Sequence, residues 1–151
     1  MEKPILDSVE YKMITTFYGS EKTERSQVPL INHIQEGLQI LEFINASEFA
    51  KKAYCLHPIL QSDESLKQNW KMYFAKVNPK VMLLCMEYRK VANTYLSRVI
   101  QGLLEIELSP IKSVNEMLVA DKVQNYKDFL KYHAESHPRT KELELYFSNW
   151  L

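Results

Sequence analysis

The stretch LINHIQEGLQILEFI, residues 30–44, carries the pattern that decides the fold. Its apolar side chains recur every three or four residues, as on one face of an α-helix; they are Leu30, Ile31, Ile34, Leu38, Leu41 and Ile44. Similar spacing extends to both sides, over residues 5–18, 48–60, 64–76, 79–107, 111–133 and 139–151. Strand-like alternation is nowhere convincing, and a chain with 3 glycines has few residues for the tight turns of a sandwich or barrel. We predict a single all-α domain, a helical bundle over residues 1–151.

Particular residues indicate where the helices begin and end. Gly19 follows the first segment and favours its end. Ser47 and Asp63 stand where an N-cap is expected, just before the segments 48–60 and 64–76. The longest segment, 79–107, is apolar around much of its circumference near its start, which predicts that it runs through the core.

Composition and charge argue against several kinds of partner. The formal net charge is zero, from 19 basic and 19 acidic residues, so no global field attracts nucleic acid or an anionic membrane. No apolar run is long enough to span a bilayer, and the N-terminus lacks the apolar core of a signal peptide. Cys55 and Cys85 lie in apolar surroundings without CxxC spacing, which indicates buried free thiols of a reducing compartment. A soluble, cytoplasmic protein is the expectation.

Two of the four histidines, His33 and His57, lie inside amphipathic helices, close to the apolar face. A single such histidine is usually a hydrogen-bonded core residue. Two on successive helices, joined by a carboxylate from a later helix, could instead hold a divalent ion such as Zn, Mn or Fe. His133 and His137 sit near a helix end among charged residues, and we expect both to be solvent-exposed.

A candidate for that carboxylate is Asp121, which has apolar residues before and after it in the segment 117–126. A buried carboxylate needs a cation or several hydrogen-bond donors. Asn125 follows one helical turn later on the same face. The pair could hold a metal and contact a ligand together, or it could be an ordinary pair on a helix surface.

Three motifs in order resemble those of the HD-superfamily hydrolases, and most closely the RelA/SpoT-type (p)ppGpp hydrolases and their small relatives. Residues 25–33, RSQVPLINH, look like the segment that bears the first metal histidine of that family. Residues 53–57, AYCLH, resemble its second motif, an apolar helix that ends in His-Asp. Residues 119–125, VADKVQN, resemble its last motif, in which an Asp ligand is followed by Asn one turn later. The resemblance spans roughly residues 5–151.

The resemblance implies an HD-domain-like helical fold and a divalent metal, Mn, Zn or Fe. Three of the four family ligands have counterparts here, namely His33, His57 and Asp121. Asn125 matches a residue that contacts the nucleoside part of the substrate. Lys22 and Arg25 lie in the loop where the family places basic residues near substrate phosphates.

The chain departs from the family at its defining ligand. Pro58 follows His57, where the family has Asp, and a proline side chain cannot bind a metal. Gln61 and Ser62 replace the Glu-Asp pair of the alarmone hydrolases. Asp63 and Glu64 follow at once, so one of them could supply the missing carboxylate or orient the attacking water as a general base. Alternatively, the metal site is weak or lost, and Asp63 only caps the next helix.

These observations leave three hypotheses about function. The first is a metal-dependent phosphohydrolase that acts on a nucleotide or nucleotide-derived phosphoester or pyrophosphate. The second is a catalytically degenerate module of the same fold that binds a nucleotide or a protein partner. The third is a helical interaction protein, or a homo-oligomer, in which C-terminal aromatic residues form a dimer face rather than core; they are Tyr146, Phe147 and Trp150.

Overall fold

The computed structural model describes residues 3–22, 28–100 and 108–133, with the backbone alone at 3–4, 95–100 and 132–133. Its helices are α1 (Lys3–Leu6), α2 (Val9–Tyr18), α3 (Ile31–Phe43), α4 (Glu48–Leu60), α5 (Asp63–Lys76), α6 (Pro79–Ile100) and α7 (Lys112–Asp128), the last continued by a π-helical turn, Phe129–His133. No strand occurs in the described ranges, where an isolated backbone bridge joins Lys22 and Pro29. The predicted all-α fold is confirmed. Nor is any described helix both long and apolar enough to cross a membrane.

The central element is α4, which contacts α1, α2, α3, α5, α6 and α7. Its buried apolar side chains point in almost every direction; they are Ala50, Ala53, Tyr54, Cys55, Leu56, Ile59 and Leu60. The described part of α6 instead packs on α4 and α7 and leaves Leu83 and Met86 exposed. Among the described residues α6 has neighbours on one side, so the prediction that segment 79–107 runs through the core holds there for one face of α6.

Serine side chains cap three of the helices. Ser47 caps α4 as predicted, since its Oγ accepts the amide hydrogen three residues later at 3.1 Å. At α5 the predicted cap is wrong. Ser62, in extended backbone, accepts the corresponding amide at 3.1 Å, and Asp63 is the first residue of the helix. Ser62 takes this position because its hydroxyl reaches the free amide, whereas the Asp63 carboxylate pairs with Arg89.

The first predicted segment, 5–18, consists of two helices rather than one. Ser8 adopts extended backbone, with φ −68° and ψ 153°, and its Oγ accepts the Tyr11 amide at 3.1 Å. The same hydroxyl donates to the Ile5 carbonyl at 2.7 Å, so one side chain serves the end of α1 and the start of α2. Gly19, with φ 55°, ends α2 as predicted.

Cys55 and Cys85 are both buried and unpaired, as the sequence predicts. Burial is the main cause that raises the pKa of each thiol, so neither is activated as a nucleophile. The Cys85 thiol donates weakly to the Ala53 carbonyl at 3.4 Å, and this contact ties α6 to α4.

Part of the sequence prediction concerns residues that the structure does not describe. These are the end of segment 79–107 beyond residue 100, the segment 139–151 with its aromatic face of Tyr146, Phe147 and Trp150, and the residues Arg25 and His137. The side chain of His133 is likewise not described. The predictions made for these positions remain predictions.

Helices α3 and α4 approach each other closely at Gly37. A Cβ atom at this position would overlap the phenol ring of Tyr54, which is fully buried. The ring has no room to withdraw without disturbing the close-packed core around it. Gly37 is therefore required by the packing of α3 on α4.

We predict that Gly37→Ala destabilises the protein by about 1–3 kcal/mol, the usual cost of overpacking a core. Helix propensity alone would act in the opposite direction, because Ala is favoured over Gly by about 1 kcal/mol in a helix interior. Urea unfolding followed by circular dichroism measures the change. Gln39→Ala, on the exposed face of the same helix, is the control and should shift stability by less than about 0.5 kcal/mol. A Gly37→Ala variant more stable than wild type would contradict this packing.

Candidate metal centre

Three helices bring His33, His57 and Asp121 together: α3 carries the first, α4 the second and α7 the third. The Asp121 Oδ1 atom lies 2.9 Å from His33 Nε2 and 3.4 Å from His57 Nε2. The two Nε2 atoms are 3.3 Å apart. The three side chains form a cluster that could hold a metal ion. The sequence motifs thus identified residues that converge, although their binding of a metal stays a prediction.

Both imidazole rings are oriented through their Nδ1 atoms. His57 Nδ1 donates to the backbone carbonyl of Tyr54 at 2.5 Å, and His33 Nδ1 donates to Oε1 of Gln124. The Gln124 amide is itself fixed, because its Nε2 donates to carboxylates of Glu36 and Asp128 at 3.2 and 2.7 Å. Since both ring partners are oxygen acceptors, each Nδ1 carries a hydrogen and each Nε2 faces the centre of the cluster.

The Asp121 carboxylate is buried and ionised. Burial alone would raise its pKa, but the charge of Lys122 and the hydrogen bonds with both histidines hold the pKa of Asp121 well below its usual value. Lys122 is itself buried, and its Nζ lies 2.8 Å from Oδ2 of Asp121. One carboxylate oxygen thus meets an ammonium group, while the other meets the two imidazoles.

The two histidines respond differently to this carboxylate. Burial works against protonation of His33, yet its hydrogen bond to Asp121 and the charge of that carboxylate raise the pKa of His33 above its usual value. For His57 burial prevails, and the pKa is lowered. His33 Nε2 is thus more readily protonated than His57 Nε2, whose lone pair is directed at the same carboxylate oxygen.

The donor set fits a divalent cation. An ion bound tetrahedrally at about 2.0–2.1 Å from its ligands keeps neighbouring ligand atoms roughly 3.3 Å apart. The three separations in the cluster, 2.9, 3.3 and 3.4 Å, bracket that value. Two imidazole nitrogens and one carboxylate oxygen are also donor types that Zn, Mn and Fe accept.

The cluster opens into a pocket of about 340 Å³. The residues that line it are Tyr18, Val28, Pro29, Leu30, His33, His57, Pro58, Gln61, Asp121, Lys122, Asn125 and Asp128. Asn125, predicted to contact substrate, is thus placed beside the candidate ligands. Burial and the charges of Asp121 and Glu21 raise the pKa of Tyr18 to about 12, so its hydroxyl keeps its proton and can donate into the pocket.

Other predicted site residues lie elsewhere. The Asp63 side chain is 98% exposed and pairs with Arg89, and Glu64 is exposed in the first turn of α5. Neither lines the pocket, so their position does not support the catalytic part predicted for them. Lys22 is exposed beside Pro29, outside the pocket lining, and Arg25 falls outside the described residues.

No role was predicted from the sequence for Tyr54, Gln124 or Lys122, although all three surround the cluster. Tyr54 offers its carbonyl to His57, and its hydroxyl donates to the His33 carbonyl at 3.1 Å. Gln124 and Lys122 stand within the last motif, next to residues that were singled out. Their only signal in the sequence was a polar side chain in a motif that also carries apolar residues.

We predict that Asp121 and Lys122 are strongly coupled in the chelator-treated protein. Asp121→Asn and Lys122→Met each leave a buried charge without this partner, so each should cost about 3 kcal/mol. The double variant should cost less than the two single effects together, by at least about 1 kcal/mol. Denaturant unfolding measures the cycle. Lys127→Met, which removes the ion pairs with Glu36 and Asp128 at a more exposed site, should cost at most about 1 kcal/mol. Additive effects of the two buried substitutions would contradict the coupling.

A comparison of this chain with protein-family models, with curated proteins and with solved structures found no match. The chemistry open to the site is therefore inferred from its donor atoms, their burial and their charges.

Proposed function

We propose that this chain is a metal-dependent phosphohydrolase of the HD type, acting on a nucleotide or a nucleotide-derived phosphoester or pyrophosphate. The observation that carries the proposal is the convergence of two Nε2 atoms and one carboxylate oxygen at ligand-to-ligand spacing. Three acceptors at such distances repel one another unless a cation or a proton lies between them. The order of the three HD-like motifs along the chain adds independent support.

In this proposal His33, His57 and Asp121 hold the ion. When bound, a divalent cation would supply a Lewis acid that polarises a phosphoryl oxygen and makes water more acidic. Asn125, one turn after Asp121 and in the pocket lining, would hydrogen-bond the nucleoside part of the substrate. Lys22 and Arg25 would pair with phosphates, as the family resemblance implies.

A hydrolase also needs a group that accepts a proton from the attacking water. Asp121 and Asp128 are the acidic residues of the pocket lining within the described part of the chain. Because Asp121 is assigned to the ion, Asp128 is better placed for proton transfer than Asp63 or Glu64. Its Oδ2 accepts from Gln124 at 2.7 Å, and its Oδ1 lies 2.8 Å from the Lys127 ammonium, so its carboxylate is held in position.

The alternative is a degenerate module that binds a nucleotide or a protein partner without hydrolysis. Lys122 favours it, because its ammonium already neutralises part of the Asp121 charge at 2.8 Å. Pro58 and Gln61, which line the pocket where HD hydrolases supply carboxylates, favour it as well. Binding without turnover would identify this module.

The first test is metal affinity. Calorimetric titration of chelator-treated protein with Mn²⁺ and with Zn²⁺ should show one site in wild type. His33→Ala and Asp121→Asn should each weaken it by about a hundredfold or more, since each removes one of three ligands. Cys85→Ala, which changes a buried group outside the cluster, is the control for general disturbance of the core. A wild-type protein that binds neither ion would overturn the proposed centre.

A second test compares the contributions of Asp128 and Asp63 to nucleotide hydrolysis. Wild type should hydrolyse at least one member of a nucleotide panel that includes (p)ppGpp, and only with a divalent ion. We expect Asp128→Asn to lower the rate by about a hundredfold or more, in the range of a lost general base. The matched Asp63→Asn variant should keep near-normal activity, because Asp63 is exposed and pairs with Arg89. A larger loss of activity in Asp63→Asn than in Asp128→Asn would instead support the catalytic role predicted for Asp63 from the sequence. Nucleotide binding without any hydrolysis would favour the degenerate module.

A further inference from the structure

Pro58 interrupts the hydrogen-bond ladder of α4 beside the candidate metal centre. In a regular helix the amide of residue 58 would donate to the carbonyl of residue 54, but proline has no amide hydrogen. The Tyr54 carbonyl that is left free accepts instead from Nδ1 of His57 at 2.5 Å. The residue that replaces the family's Asp thus creates the acceptor for the histidine that precedes it.

We propose that Pro58 is a positioning residue, which fixes the tautomer and direction of His57 by leaving the Tyr54 carbonyl to its ring. This rests on the proposed function in so far as that ring binds a metal. With Nδ1–H committed to the carbonyl, Nε2 keeps its lone pair and faces Asp121 and His33. A histidine that binds a metal through one nitrogen commonly donates its other ring N–H to such an oxygen.

The surroundings of His57 make this carbonyl important. The histidine side chain is buried, so an Nδ1–H without an acceptor would be costly. The aromatic rings of Tyr54 and Tyr88, with centroids 4.6 and 4.9 Å away, hold the imidazole in place without offering a strong acceptor at the ring face. The strong acceptors beside the ring are the Tyr54 carbonyl, 2.5 Å from Nδ1, and Asp121 Oδ1, 3.4 Å from Nε2, so the nearer carbonyl favours the hydrogen on Nδ1.

The rest of α4 tolerates the missing amide because the helix ends soon afterwards, at Leu60. Arg89 closes this end, since its Nε donates to the carbonyls of Leu60 and Gln61 at 3.0 and 3.2 Å. Helix α4 therefore continues through Pro58 to Leu60, and Asp63 stays outside the pocket lining.

The test compares Pro58→Ala with wild type by ¹⁵N NMR of the imidazole rings in chelator-treated protein, at a pH where both site histidines are neutral. Wild-type His57 should be the Nδ1–H tautomer. In Pro58→Ala the new backbone amide competes for the Tyr54 carbonyl, and the population should shift toward Nε2–H. Zn²⁺ affinity should fall about 10- to 100-fold, as for loss of other groups that orient a metal ligand. Pro79→Ala, at the first residue of α6 where no helical hydrogen bond is missing, should change neither measurement.

The outcomes separate this inference from the proposed function. An Nε2–H tautomer in wild type, or an unchanged tautomer and affinity in Pro58→Ala, would overturn the positioning by Pro58. If wild type binds no metal but Pro58→Ala still shifts the tautomer, the proposed metal centre fails while the positioning stands. The wild-type spectrum tests the premise even if Pro58→Ala does not fold.

Discussion

The need to stabilise the buried Asp121 carboxylate is the constraint on which the arrangement of the surrounding residues depends. It is buried between α3, α4 and α7, where an ionised carboxylate is stable only with positive charge or several donors around it. Lys122 meets one oxygen at 2.8 Å, and two imidazoles meet the other. With their hydrogens on Nδ1, neutral imidazoles cannot donate through Nε2, so the second oxygen requires a proton or a cation shared with them.

The neighbouring residues make this arrangement rigid. Tyr54 contributes twice, with its carbonyl on His57 and its hydroxyl on the His33 carbonyl, and Gly37 makes room for its ring. Gln124 links His33 to the carboxylates of Glu36 and Asp128. Because α4 is packed on almost every side, movement of His57 would disturb the core around it. Such pre-organisation is what a metal centre requires of the groups behind its ligands.

Much of the fold could be predicted from the sequence, because apolar residues at helical spacing determine which faces are buried. The cap at Ser47 followed from a local rule, since its hydroxyl needs only the amide three residues later. Ser62 was missed because Asp63 satisfies the same rule, and only the ion pair with Arg89, 26 residues away, decides between them. The burial of α4 rather than α6 likewise depends on how many neighbours each helix has.

The candidate site, too, could be predicted only in part from the sequence. His33, His57 and Asp121 could be picked out because their residue types and order match a known pattern. Their supporting groups could not, since the carbonyl of Tyr54, the amide of Gln124 and the space at Gly37 acquire meaning only when α3, α4 and α7 are packed together. Pro58 is the clearest case. From the sequence it reads as the loss of a ligand, and in the structure it is the reason that a carbonyl is free beside His57.

The most direct measurement of the central claim is anomalous diffraction from crystals of wild-type protein soaked in Mn²⁺ or Zn²⁺. We expect a single strong anomalous peak within about 2.0–2.2 Å of His33 Nε2, His57 Nε2 and Asp121 Oδ1. Lys122 should remain on the other carboxylate oxygen. A map without a peak at this position, with a proton-linked His33–Asp121 pair unchanged from the metal-free crystal, would contradict the account.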